Sequence, residues 1–315
     1  MPNRVAESPG PASTSASGGG PWRRRLGLAA GLLIFGFLAY ALARSWGEVR
    51  AYDWELRWAP LVGGIAVLLV FYLASAGGYV AILERLHAPC PPRAVVVSIW
   101  GRSLLGRYVP GSVLMVLGRV VLSFERGVPR AVTGAAMIYE YLLSVGVAAA
   151  GAVVFIAAYG IGGTAVWYVM LVPLGLIGLH PRIFGPVSAW GLRRLRRAPL
   201  TRLLGGGQLL ALTGWYALTA AVLGLGMWLL VVSAAGSVAG GPMFIGSAFL
   251  LSFTVSVVAI VVPSGLGVRE GVFALALAQN LPDGPAVAIA VGSRLVLTLV
   301  ELVFIAGAVV VARRR

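Results

Sequence analysis

Lysine is absent from this sequence, and cysteine, histidine and acidic residues are scarce. One Cys, two His and ten Asp plus Glu stand against 25 basic residues, every one of them Arg. Each shortage closes a class of chemistry. A lone Cys90 permits no internal disulfide and no paired-cysteine metal or redox motif. His87 lies three residues before it in a Pro-rich turn, but two donors do not complete the four-ligand zinc site. His180, before Pro181, reads as another loop residue, so no metal site is expected. With both histidines beside loops, a Ser-His-Asp triad has almost nothing to draw on. No Walker sequence occurs, so ATP hydrolysis is not expected, nor any cofactor. Charged residues of both signs make up 11% of the chain, where a soluble domain carries roughly 25%.

What is present is apolar. Hydrophobic residues make up 59% and the mean hydropathy is +0.92, and the apolar residues recur in runs of about twenty, the length that crosses a bilayer core as a helix. The net charge of +15 raises the question of a nucleic-acid partner. No basic stripe is interleaved with stacking aromatics, so none is expected. The arginines instead lie between apolar runs and at the chain ends, the distribution that orients a membrane protein.

Residues 1–21, rich in Ser, Gly, Pro and Ala, read as a disordered tail, and 22–315 as one transmembrane domain. Arg23, Arg24 and Arg25 before an apolar run resemble a signal peptide. No convincing cleavage site follows, and a retained first helix is expected. Candidate membrane segments are 26–43, 59–83, 131–158, 164–180, 208–234, 243–262 and 285–311. Two stretches fit poorly. Residues 94–122 are interrupted by Arg102, Arg107, Pro110, Gly111 and Arg119, and 263–280 opens on Pro263, Ser264 and Gly265 and carries Arg269 and Glu270. Both read as broken or re-entrant helices.

Parity orders these pieces. The stretch from Pro181 to Gly207 holds six arginines and no acid and is placed on the cytoplasmic side, with both chain ends. Arg313, Arg314 and Arg315 reach that side only if 94–122 enters and leaves from the cytoplasm and 243–280 enters and leaves from outside. The expected fold is therefore an all-α polytopic integral membrane protein of about six full spans plus two broken or re-entrant helical hairpins. The breaks share a pattern, Pro110-Gly111 with Arg119 beyond it and Pro263-Ser264-Gly265 with Arg269 beyond it. Opposite orientation in two halves is the signature of an inverted repeat with a site near the midplane.

Ionisable residues at membrane depth are costly and face a cavity or a partner. The cations are Arg102, Arg107, Arg119, Arg269 and Arg294; the anions are Glu140, Glu270 and Glu301. The cationic excess suits an anionic group such as a lipid phosphate, which a guanidinium grips with two parallel hydrogen bonds. The competing reading is that these residues only pair with one another, with Arg294 and Glu301, two turns apart, satisfied by neighbouring helices. Gly265-Leu266-Gly267 is followed by Glu270 rather than a third Gly, so it is no dinucleotide fingerprint.

Gly106-Arg107-Tyr108-Val109-Pro110-Gly111-Ser112, Leu117-Gly118-Arg119, Arg126-Gly127-Val128, Glu140 and Val262-Pro263-Ser264-Gly265-Leu266-Gly267-Val268-Arg269-Glu270 together resemble the lysylphosphatidylglycerol synthase transmembrane, or flippase-like, family. The resemblance runs from about residue 26 to 312. It implies a membrane domain associated with moving aminoacylated phosphatidylglycerol across the bilayer, with lipid synthesis belonging to a separate soluble domain. That domain has no counterpart expected here. Family members often carry Arg after the acid of the third full helix, where this chain has Tyr141 after Glu140.

The resemblance thus implies a non-enzymatic lipid translocase of the bacterial inner membrane, with an anionic or zwitterionic phospholipid as partner. Its expected substrate-binding residues are Arg107, Arg119, Glu140, Arg269, Glu270 and Arg294, around Pro110, Gly111, Pro263, Gly265 and Gly267. Two other readings stand beside it: an intramembrane enzyme acting on a lipid phosphate with Glu140 or Glu270 as general base, and a non-transporting partner of a separate lipid-modifying enzyme.

Overall fold

A computed structural model describes residues 46–54, 56–87, 89–108, 113–160, 202–258 and 267–314, with nine scattered positions outside these ranges. Among the described residues every regular element is helical. After a short helix α1 (Trp46–Ala51) come α2 (Trp58–Leu86), α3 (Arg93–Leu104), a 3-10 turn (Leu105–Tyr108), α4 (Val113–Phe124) and α5 (Arg130–Tyr159). The remainder is α6 (Gly206–Ala235), α7 (Gly241–Val258), α8 (Val268–Leu277) and α9 (Asp283–Arg313).

Four helices, α2, α5, α6 and α9, are long and apolar enough to cross a membrane. Their outward faces carry residues that water would reject: Leu210 is 76% exposed, Trp58 68% and Leu295 63%. A belt of exposed Leu, Val and Trp around buried charges is the inverse of a soluble surface and marks a membrane-embedded protein. The expected spans at 26–43 and 164–180 lie almost wholly outside the described residues, as do the breaks themselves with Pro110, Gly111, Pro263 and Gly265. One local expectation changes. Residues 44–58 read as a plain connection, yet 46–51 are helical, and Glu48 of α1 accepts a hydrogen bond at 2.9 Å from the Gly284 amide in the first turn of α9. A carboxylate there satisfies an orphan amide and meets the positive helix end.

Both interrupted stretches are helical on either side of their breaks. In the first, α3 tightens into the 3-10 turn and α4 returns beside it. The turn packs so closely on the Leu114–Met115 backbone that Gly106 has no room for a Cβ. At the far end of α4, Gly127 adopts φ 83°, and the amides of Gly127 and Val128 donate back to Phe124 and Ser123, so the helix ends in a left-handed cap with Val128 buried behind it. In the second, α7 and α8 pack together, α7 also against α5 and α6, and α8 against α9.

With lipid outside, helix association rests on packing, and small residues permit close approach. Gly224 of α6 and Gly246 of α7 meet backbone to backbone: a Cβ on Gly224 would fall 2.9 Å from the Gly246 Cα. Gly78 of α2 takes the ring of Tyr216 of α6 in the same way. Helices α2 and α6 thus form a tight central pair, and the rest of the described bundle closes around it.

Candidate functional site

Three groups of buried charge lie inside this bundle. The first ties α4 to α5. Arg119 is 2% exposed; it ion-pairs with Glu140 and donates through Nε to Ser103 Oγ at 2.9 Å. Its guanidinium also lies 4.7 Å from the centroid of the Tyr79 ring and 5.8 Å from that of Trp100, so two aromatic faces add cation–π attraction. Trp100 Nε1 donates to Glu140 Oε1 at 2.5 Å. Both carboxylate oxygens of Glu140 are therefore occupied.

The second group lies on α9. Glu301, fully buried, pairs with Arg107 of the 3-10 turn and accepts a hydrogen bond from the Tyr72 hydroxyl of α2 at 2.9 Å. Tyr72 stacks on Phe304 at 5.7 Å, and Phe304 meets the edge of Trp100 at 5.9 Å. A chain of three rings thus connects the first group to the second. Tyr and Trp serve here because each joins an apolar body to a polar tip that finds a partner.

The third group surrounds the second break. Gly267 sits at φ 82°, a left-handed conformation that only glycine adopts without strain. Its amide donates to Glu270 Oε2 at 2.6 Å. That half of a capping box starts α8. The other oxygen of Glu270 faces Arg294 Nε of α9 at 3.3 Å. Arg269, beside it on α8, lies over the rings of Phe253 and Phe249 at 4.7 and 5.8 Å. A small cleft is lined by Phe249, Arg269, Glu270, Phe273, Ala290, Ser293 and Arg294.

Five of the six expected binding residues fall into ion pairs: Arg119 with Glu140, Arg294 with Glu270, and Arg107 with Glu301, an acid outside that list. Arg269 differs. Among the described residues no carboxylate lies within ion-pair distance of it, and its Nε is buried without a hydrogen-bond partner. Arg294 and Arg107 are near enough to act against its charge, and Glu270 is near enough to act for it. Arg102 is exposed. Arg269 and Arg294 line this cleft, whereas Arg119 is enclosed by Trp100 and Tyr79.

Trp100, Tyr72, Ser103, Phe249, Phe253 and Ser293 were not foreseen. Each sits inside an apolar run, where an aromatic or a serine reads as ordinary helix packing. Trp100 and Ser103 carry the one available signal, since they flank Arg102 and precede Arg107 in the interrupted segment. Neither a protein-family model nor a curated protein matches this chain.

Proposed function

We propose that this protein translocates a phosphate-bearing membrane lipid, anionic or zwitterionic, across the bacterial inner membrane, with both termini cytoplasmic and the head group guided past Arg269. The observation that carries this reading is Arg269, which among the described residues has no carboxylate within ion-pair distance. Three arginines in the bundle have a glutamate each, whereas Arg269 holds its guanidinium against two phenylalanine rings beside a cleft. A cation kept without a direct ion pair of its own in a low-dielectric site is poised for an anion that arrives from outside the protein. A planar fork suits phosphate oxygens better than a point charge does. Arg294 on the opposite wall adds further guanidinium donors, while the Ser293 hydroxyl donates to the Ala290 carbonyl.

In the intramembrane-enzyme reading, the geometry weighs against Glu140 as the general base. Glu140 spends both oxygens on Arg119 and Trp100, and Glu270 spends one on the α8 cap and faces Arg294 with the other. Glu140 thus has no oxygen left for a substrate proton, which a general base must have, whereas Oε1 of Glu270 has no hydrogen-bond partner and only the Arg294 guanidinium beside it.

The test is head-group translocation by purified protein in vesicles containing a reporter-labelled phospholipid. Arg269→Gln, which keeps length and polarity and removes charge, is expected to lower the rate at least tenfold with insertion and thermal stability retained. Arg269→Lys separates charge from fork geometry and should fall between. If both variants move the lipid at the unsubstituted rate, Arg269 does not guide the phosphate. Analysis of the lipids after the assay reveals any chemical product.

A further inference from the structure

The first hairpin is held to the bundle by two carboxylates on two different helices, and the two attachments are unlike. Arg119 is gripped by Glu140, Ser103 and two aromatic rings, with a side chain only 3% exposed. Arg107, at the turn, pairs with Glu301 while its side chain remains 26% exposed. The acid is the opposite: Glu301 is 0% exposed, its Oε2 takes the Arg107 and Tyr72 donors, and its Oε1 is buried without a hydrogen-bond partner. A carboxylate in that position stays ionised only while Arg107 stays with it, because an unpaired buried charge is neutralised instead.

We propose that Glu301 is a proton-binding site that latches the first hairpin: when Glu301 takes a proton, Arg107 is released and the turn at Leu105–Tyr108 swings away from α9. The step balances. One proton from water converts the carboxylate to a neutral carboxyl, Arg107 keeps its own protons and leaves as a cation, and no other bond is made or broken. Tyr72 continues to donate to the carboxyl, so the acid has a partner in both states. Arg119 and Glu140 remain the fixed end.

The groups that face Glu301 leave this role to it. From α2 comes Tyr72 and from the turn Arg107. Helix α3 offers Trp100 and, pointing away, the exposed Arg102. The charges of α8 are Arg269 and Glu270, the latter already facing Arg294 of α9. Tyr216 of α6 faces the Arg119–Glu140 pair, and Glu48 of α1 lies at the far end of α9.

The experiment measures a distance and needs no transported lipid, so its failure and the failure of the translocation reading are separate events. In a Cys90→Ser background, spin labels at Leu105 and Val303, both exposed, report the separation of the turn from α9 in lipid nanodiscs. As pH falls, a second, longer population is expected to grow. Glu301→Gln, a mimic of the protonated acid, should show the longer population at every pH, and Glu301→Asp should restore the pH dependence. Tyr72→Phe removes a donor to the ionised form and so should move the transition to higher pH. This variant carries the test if Glu301→Gln does not fold. A distance distribution that ignores pH in the unsubstituted protein, or a Tyr72→Phe transition that does not move, overturns the proposal.

Discussion

Glu140→Gln isolates what the sealed ion pair contributes. The substitution preserves shape and leaves Trp100 an oxygen to donate to, but strips the counter-charge from a guanidinium that is 2% exposed. Breaking a buried pair from one side costs about 3–5 kcal/mol because the remaining charge is left uncompensated. Arg119 retains the Ser103 hydroxyl and the faces of Tyr79 and Trp100, each ring worth about 1 kcal/mol or more when desolvated. The expected loss therefore lies at the lower end, about 3 kcal/mol. Removing both charges, in Arg119→Gln with Glu140→Gln, should cost less than the two single losses added, with a coupling of about 2 kcal/mol. Reversible unfolding in mixed micelles with increasing denaturing detergent, followed by tryptophan fluorescence, gives the four stabilities of the cycle. A single-variant loss below about 1 kcal/mol, the range of an exposed pair, together with additive losses, would refute the view that this pair anchors α4.

Three further outcomes are expected. In a Cys90→Ser background, Asp283→Cys should react with an impermeant thiol reagent in intact cells and Arg202→Cys should not; the reverse pattern inverts the topology. Gly224→Ala places a methyl 2.9 Å from the Gly246 Cα, so an overpacking cost of about 1–3 kcal/mol outweighs the roughly 1 kcal/mol gain in helix propensity. Gly271→Ala on α8, with open space around it, should be neutral or stabilising in the same melt. Finally, burial and then the neighbouring Glu84 push the Cys90 thiol from 9.0 up to about 11. Thiolate at neutral pH is thereby reduced about 100-fold, so alkylation should be slow and should quicken in Glu84→Gln, measured by mass spectrometry over time.

Much of the bundle can be read from residue order because the bilayer imposes a length on each apolar run. The segments 59–83, 131–158, 208–234 and 285–311 fall inside α2, α5, α6 and α9 for that reason, their ends displaced by a few residues. The broken segments betray themselves through Arg and Pro placed where a full span tolerates neither. Pairing is harder to read. Arg107 lies 194 residues from Glu301, and nothing local distinguishes that partnership from Arg107 with Glu140. Only the fold, which lays the turn against α9 and α4 against α5, assigns each acid to its arginine. Tyr72 and Trp100 stay invisible for a related reason: an aromatic in a hydrophobic run shows its polar function only after a carboxylate from another helix arrives beside it.

The contact of Gly224 with Gly246 bears on where this molecule can bend. Two backbones in direct touch leave no side chain between them to repack, so α6 and α7 move as one beam. Helix α8, by contrast, exposes Leu275 to 74% and is joined to α7 through glycine-bearing chain. Its other face packs on α7 and α9, with Phe273 and Leu277 buried and Glu270 paired to Arg294. The Arg269 cleft is lined from α8 and α9 as well as α7, so a ligand that enters it is expected to change the separation of α8 and α9 before that of α6 and α7. Probes placed across α6 and α7 are expected to report no change when a phosphate-bearing lipid is added, and probes across α8 and α9 to report one.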